Sequence, residues 1–269
     1  MADGNLGEMS FWDHVDALRG VLLRAGAVVL LMAIVFFAAM PEIFDRIILA
    51  PTRPDFCLYG LLASLGSVRG ITPDFNADFS VSLINIQLAS QFFIHISTSF
   101  WLALVFSFPI IIYLLWSFVA PGLYEREKHG ARTAFLFGNV MFFIGVAVGY
   151  FLVFPLTLRF LAGYQVSELV PNQISLDSYM DNFLMLILVM GIIFELPLLA
   201  WLLGKTGLLT RSFFSSYRRH AVVVLLILAA VVTPTGDPFT LTVVFLPIYI
   251  LWELSARFVP SHSHDTAAA

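Results

Sequence analysis

The chain carries too little charge for a soluble globular protein. Of its 269 residues, 59% are hydrophobic and 12% are charged, whereas soluble domains have about 25% charged residues. This composition excludes a soluble enzyme or binding domain and predicts an integral membrane protein. The single cysteine, Cys57, excludes an intrachain disulfide and a CxxC motif. The ligand types and spacings of known metal sites are missing, so we expect no metal and no other cofactor.

The N-terminal stretch FWDHVDALRGVLL predicts an amphipathic helix at the membrane surface, before the first span. The apolar residues on one helical stripe are Phe11, Val15, Leu18 and Leu22. The charged residues off that stripe are Asp13, Asp16 and Arg19. Because the N-terminus lacks the basic start and small-residue cleavage site of a secretory signal, the first hydrophobic segment is expected to remain as an anchor.

Hydrophobic runs predict an all-α protein with six membrane-spanning helices. A span needs about 20 mainly apolar residues. The runs that meet this length are 21–40, 98–120, 133–157 and 179–204. The last two, 220–232 and 239–254, are shorter and are joined by the turn sequence TPTGDP. We expect a helical hairpin that either just spans the bilayer or fails to span it.

The positive charges predict that both termini are cytoplasmic. Six spans place both termini on one side, and with that side inside, 10 of the 14 lysine and arginine residues lie in inner segments. We expect one transmembrane domain, 1–258, and a disordered cytoplasmic tail, 259–269. The stretch RSFFSSYRRHA (211–221) is interpreted as positive-inside anchoring.

The outer connection, 41–97, predicts a folded cap over the outer helix ends. It contains FSVSLINIQLASQFF, which is apolar enough to pack but too short for its periodicity to distinguish strand from helix. In the third span, Gly145-x-x-x-Gly149 predicts a small-residue packing face. No internal repeat is evident, which weakens the hypothesis of an inverted-repeat transporter.

Glu195 and Pro197 interrupt the fourth predicted span, in MGIIFELPLLAWLLG. A carboxylate at this depth costs about 2.5–3.5 kcal/mol, so it should face a wet cavity or a partner, or be protonated. Pro197 has no amide hydrogen and therefore releases a backbone carbonyl near Ile193. The pair predicts a kinked, hydrated point in the helix. The alternative is an internal hydrogen bond that only joins two helices.

The stretch WSFVAPGLYEREKHGAR (116–132) contains the acids Glu125 and Glu127 at the predicted inner membrane surface. By itself it favours an aromatic belt and a solvated charged loop. The functional alternative is a carboxylate that binds a guanidinium through two hydrogen bonds. The sequence has no phosphate-binding glycine loop, no GxSxG and no HExxH, and we expect no enzyme.

Six ordered blocks make the chain resemble the TatC family of the twin-arginine protein translocase. They are DHVDALRG, LAPTRP, FPIIIYLLWSFVAPGLYEREK, YFLVFPLTLRFL, FELP and VVTPTGDPFT, and the resemblance covers about 11–258. It implies a tilted, concave six-helix bundle in the bacterial cytoplasmic (inner) membrane. It also implies a receptor for twin-arginine signal peptides of folded cargo. Such receptors form homo-oligomers, assemble with single-span TatA and TatB proteins, and use the proton-motive force.

The resemblance also assigns residues. The signal-binding acid falls on Glu127, with Phe118 and Tyr124 beside it. The N-terminal pattern falls on His14, Leu18 and Arg19. The intramembrane polar site falls on Glu195, Pro197 and Asp237, and the structural prolines are Pro51 and Pro121.

One departure concerns the N-terminal pattern. Ala17 stands where the family often has a glutamate, so its contact with the signal arginines would fall to Asp16, to Asp13, or wholly to Glu127. The alternative from another functional class is a proton-coupled small-solute transporter with Glu195 as carrier. The lack of a second intramembrane charge and of a repeat argues against it.

Overall fold

The computed structural model describes residues 11–62, 81–119, 125–167, 169–205, 209–233 and 235–259. Nearly all of them are helical, and the chain divides into two compact units. The first unit comprises 1–39 and 96–139, and the second comprises 40–95 and 140–269. The predicted tail beyond Val259, together with Pro121 and Tyr124, lies outside the described residues.

The first unit is built from α1 (Phe11–Ile43), most of α2 (Ser90–Val119) and the start of α3 (Glu125–Val148). The N-terminal segment was expected as an interfacial helix ahead of the first span, but α1 runs through both without a break. No proline occurs in α1 before Pro41, so no amide donor of the helix is lost over that length. Only 6% of the most apolar stretch within Val15–Leu62 is buried.

Helix α2 begins at Ser90 rather than at the predicted Thr98. The added turns contain Gln91 and His95, which lower the hydropathy of the stretch without interrupting its helix. Most of the buried side chains in the part of α2 that belongs to the first unit are small, and the largest is Val105. They include Thr98, Ser99, Ala103 and Ser107, and small residues let membrane helices approach closely.

The second unit contains the remaining helices. The chain leaves α3 through a π-helical turn (Gly149–Val153) into α4 (Phe154–Gly163). The later helices are α5 (Leu176–Ile193), α6 (Leu196–Lys205), α7 (Arg211–Ser216), α8 (Arg218–Val232) and α9 (Pro238–Phe258).

Close packing between α3 and α5 forms the core of the second unit. A Cβ atom added at Gly145 would lie 2.5 Å from the Met190 carbonyl oxygen, and one at Gly149 would lie 2.9 Å from Ile187 Cα. Gly191 approaches Phe142 in the same way. The predicted packing face of Gly145 and Gly149 is therefore confirmed, and it is used within the chain.

Part of the outer connection folds around tyrosine hydroxyls. A π-helical turn (Phe44–Ile48) leads into a 3₁₀ turn (Ala50–Thr52) that contains the buried Pro51. Tyr59 donates to the Pro51 carbonyl at 2.9 Å, and Tyr150 donates to the Ile47 carbonyl at 2.8 Å. Tyr179 donates to the Ile48 carbonyl in the same manner. The Ile47, Ile48 and Pro51 carbonyls in these turns thus each accept a hydrogen bond from a tyrosine hydroxyl.

The stretch FSVSLINIQLASQFF contains both of the conformations that its sequence left open. Its middle forms β1 (Leu83–Ile84), which pairs in parallel with β2 (Ile174–Ser175) in the register Leu83 to Ile174. Its end forms the first turn of α2.

Among the described residues, five helical segments are long and apolar enough to cross a membrane. Helix α8 is not one of them, because its 15 residues rise only about 22 Å against a hydrocarbon core of about 30 Å. Helix α9 passes the predicted end at Leu254 and reaches Phe258, so its 21 residues rise about 31 Å. The hydropathic run stops at Glu253, but the helix continues because its backbone hydrogen bonds do not depend on hydropathy.

Candidate functional site

The helix that carries Glu195 is interrupted at the predicted point. Helix α5 ends at Ile193 and α6 begins at Leu196, with Phe194 and Glu195 in the turn between them. The Glu195 amide donates to the Ile192 carbonyl at 3.0 Å, one residue short of the α-helical spacing. Pro197 is buried in the first turn of α6. Because proline has no amide hydrogen, the α-helical hydrogen-bond pattern is interrupted here.

The Glu195 side chain is half-buried, and its Oε1 atom is buried. No residue that the structure describes donates a hydrogen bond to Oε1, so the alternative of an internal hydrogen bond has no support at this atom. A buried polar atom without a partner costs free energy. Oε1 of Glu195 is thus a buried oxygen that has no hydrogen-bond donor among the described residues.

Gly145 of α3 packs against the turn between α5 and α6. A Cβ atom at this position would lie 2.7 Å from Phe194 Cβ, so only glycine lets α3 pass so near the turn. The residue before Glu195 is therefore fixed by close packing. This packing gives the carboxylate a defined place in the second unit.

Asp237 is the N-cap of α9. Its Oδ2 atom accepts a hydrogen bond from the Thr240 amide at 2.7 Å, and its Oδ1 atom accepts one from the Thr235 hydroxyl at 2.6 Å. Partial burial raises the pKa of Asp237, but the hydrogen bonds from Thr235 and Thr240 outweigh it and lower the pKa. The structure places this residue in the hairpin turn, where it starts the last helix.

The residues predicted to bind a signal peptide all belong to the first unit. Asp16 and Arg19 are exposed on α1, and Phe118 is half-buried in the last turn of α2. Glu127 lies in the first turn of α3. The side chains of Asp13, His14 and Glu127 lie outside the described residues, as does Tyr124. The second unit instead contains the other predicted group, Glu195, Pro197, Asp237 and Pro51.

An ion pair joins two helices of the second unit and has no signature in the sequence. Arg218 Nη2 donates to Glu253 Oε2 at 2.8 Å, from the first turn of α8 to the last turns of α9. The two residues are 35 positions apart, and no local pattern marks them as partners. In the sequence, Arg218 is interpreted only as one of the positive-inside anchors.

The sequence of this chain is similar to those of known proteins over most of its length. The family model described as Sec-independent protein translocase protein (TatC) matches residues 13–247. The TatC protein of Blattabacterium sp. subsp. Periplaneta americana (strain BPLAN) is 33% identical over 250 residues, which cover 92% of this chain and 94% of that protein. The TatC protein of Helicobacter pylori strain 26695 is 40% identical over 174 residues, 65% of this chain and 68% of that protein.

A solved structure agrees with the fold. The crystal structure of the twin-arginine translocase receptor TatC in DDM superposes with a TM-score of 0.71 at 27% identity, and covers 92% of this chain and 99% of that one. It is a bundle of six membrane helices, which confirms the predicted fold class. The chain therefore belongs to the TatC family of Sec-independent protein translocase proteins.

Proposed function

We propose that this chain is the signal receptor of a twin-arginine translocase and binds the paired arginines of signal peptides on folded cargo at the cytoplasmic face of the bacterial inner membrane. Its membership of the TatC family carries the proposal, since the solved relative is itself a twin-arginine translocase receptor. The same membership removes the alternative of a small-solute transporter. The proton-motive force supplies the energy of transport.

Carboxylates at the ends of the first unit's helices supply the recognition chemistry. A guanidinium binds a carboxylate through two parallel charge-assisted hydrogen bonds. Glu127 lies in the first turn of α3. Asp16 is exposed on α1 and belongs to the same unit. Phe118 offers an apolar surface for the hydrophobic part of the signal.

Glu127→Gln tests this site, with Glu125→Gln as a matched control from the same turn of α3. A hydrogen bond to a charged group contributes about 1.5–3 kcal/mol, so Glu127→Gln should lower cross-linking of a twin-arginine signal peptide in membranes at least about tenfold. The control should retain it. Equal losses in both variants would show that α3 contributes only general negative charge.

Glu195 is proposed to receive a polar side chain of a single-span TatA- or TatB-type partner. The Oε1 atom, which has no donor among the described residues, supports this role. A polar donor on a partner helix costs less free energy to bury in the membrane when it can hydrogen-bond to Glu195. Glu195→Ala should reduce co-purification of the partner about tenfold, since it removes the hydrogen-bonding group from a buried site. Signal-peptide cross-linking should remain.

The control for this experiment is Leu199→Ala, which shortens an exposed apolar side chain one turn later on α6. It should leave partner recovery close to that of the unaltered chain. If Glu195→Ala abolished signal cross-linking and left partner recovery intact, Glu195 would belong to the receptor site instead.

The native cysteine tests the proposed orientation, with both termini cytoplasmic and 1–258 forming one membrane domain. Cys57 is exposed in the outer connection, so a membrane-impermeant thiol reagent should label it in intact cells. In the Cys57→Ser background, Arg219→Cys should be labelled only after the membrane is permeabilised. The reverse pattern would invert the topology. Recovery of two differently tagged copies in one complex would test the proposed homo-oligomer.

A further inference from the structure

A cavity of about 570 Å³ opens between α7, the first turn of α8 and the last turns of α9. Small-molecule sites in proteins usually measure about 300–1,000 Å³. The basic residues that line this cavity are Arg211, Arg218 and Arg257. The acidic residue that lines it is Glu253.

The charges of the lining do not cancel. Glu253 accepts a hydrogen bond from Arg218 at 2.8 Å and another from the Tyr249 hydroxyl at 3.2 Å. The Glu253 carboxylate is thus engaged on both oxygens, and it neutralises Arg218. In the described part of the chain, no carboxylate forms an ion pair with Arg211 or Arg257. Three positive groups and one negative group leave a net charge of +2 on the wall.

One side of the cavity is apolar. Phe214 and Ala256 line it, and both belong to the apolar cluster that includes Ala200 and Val259. The Trp252 ring packs on Phe214 with a centroid separation of 4.7 Å. A free anion gains nothing from such a surface, whereas the glycerol and upper acyl chain of a lipid do.

The cavity lies where membrane helices end. Helix α9 finishes at Phe258 and α8 begins at Arg218, both at the end of the hairpin opposite its turn. Lipid headgroups occupy this depth, and basic pockets between membrane helices bind the headgroups of anionic lipids. A charged wall beside an apolar wall matches that chemistry.

We propose that this cavity binds an anionic phospholipid, with Arg211 and Arg257 contacting the headgroup phosphate and with the glycerol and upper acyl chain lying along the apolar edge at Ala256 and Phe214. The Arg218–Glu253 pair forms the fixed wall between α8 and α9. Its lining residues all belong to the second unit, whereas the proposed signal-binding residues belong to the first.

The test uses the full chain, stripped of lipid in a neutral detergent and titrated with phosphatidylglycerol or phosphatidylcholine under native mass spectrometry. Each cation near a lipid surface contributes about a fivefold preference for anionic lipid. The double variant Arg211→Gln, Arg257→Gln should therefore bind phosphatidylglycerol about thirtyfold more weakly. Phosphatidylcholine binding should hardly change.

The matched control is the double variant Lys205→Gln, Arg219→Gln. It removes the same charge from the same end of the second unit, at residues that do not line the cavity. Phosphatidylglycerol binding should fall much less in this variant. Equal losses in the two double variants would overturn the proposal, because they would indicate a diffuse surface potential.

Two further arms complete the test. Glu253→Gln keeps every arginine and removes the negative charge beside Arg218, so it should strengthen phosphatidylglycerol binding. Weaker binding would count against the site. This variant remains informative if the double variant does not fold. Inorganic phosphate at millimolar concentration distinguishes the two phosphate sources. Phosphatidylglycerol that stays bound supports the lipid, whereas its complete displacement would reassign the cavity to a free phosphate ion.

Discussion

The two compact units bury different kinds of side chain. In the first unit most buried residues of α2 are small, such as Ser99, Ala103 and Ser107, and most of α1 is exposed. The second unit buries large aromatic residues such as Phe154 and Tyr179, and it places backbone against backbone at its glycines. The fit of the second unit is therefore sensitive to single atoms. The first unit carries the proposed signal-binding acids.

The largest expected loss of stability comes from adding one methyl group to the closely packed second unit. Gly145→Ala would place Cβ within 2.5 Å of the Met190 carbonyl oxygen, a backbone atom that moves only with its helix. We expect a loss of about 3 kcal/mol in the free energy of unfolding, the upper end of the usual cost of overpacking, measured by denaturant titration in detergent micelles.

The matched control for this change is Gly26→Ala in α1, where nothing lies within 4 Å of the added Cβ. Alanine favours a helix over glycine by up to about 1 kcal/mol, so this variant should be as stable as the original chain or slightly more stable. Similar losses at the two glycines would remove the contrast between the units.

The second largest loss of stability is expected when a buried hydroxyl group is removed. Tyr179→Phe removes the donor to the buried Ile48 carbonyl while keeping the ring. A buried acceptor left without its partner costs about 1–3 kcal/mol, and the melting temperature should fall accordingly. Tyr164→Phe is the control, because Tyr164 is exposed at the end of α4. An unchanged melting temperature for Tyr179→Phe would mean that the outer turns do not depend on this bond.

A smaller effect is expected at the hairpin, and it depends on pH. Asp237 has a lowered pKa in the folded chain, so its carboxylate stabilises the fold fully above its ordinary pKa of about 4. That contribution is lost as the pH falls through the lower pKa of the folded state. Asp237→Ala should cost about 1 kcal/mol at neutral pH and little at acidic pH. Equal costs at pH 7 and at low pH would show that the charge of the cap is not what stabilises α9.

The helices and the break at Glu195 could be predicted from the sequence because their causes are local. Hydropathy over about 20 residues marks a span, and Pro197 removes a hydrogen bond wherever it occurs in a helix. The glycine face at Gly145 could be predicted for the same reason. Each of these features is encoded within a few turns of chain.

The features that could not be predicted depend on partners distant in sequence. The hydroxyl of Tyr179 meets a carbonyl 131 positions away, and Arg218 meets Glu253 across the hairpin. The strand at Leu83 exists because Ile174 lies beside it. In each case the residue by itself is of a common type, and the sequence around it does not reveal its partner. Only the fold brings the pair together.

The smallest effect on stability is expected at Asp16, and this variant separates folding from function most cleanly. Asp16 is exposed on α1, so Asp16→Asn should change the free energy of unfolding by less than about 0.5 kcal/mol. If Asp16 replaces the glutamate that Ala17 lacks, signal-peptide cross-linking should nevertheless fall severalfold. The fall should be smaller than that for Glu127→Gln, since the two acids share the paired arginines. Unchanged cross-linking in Asp16→Asn would transfer the role to Asp13 or to Glu127 alone, and Asp13→Asn decides between those two.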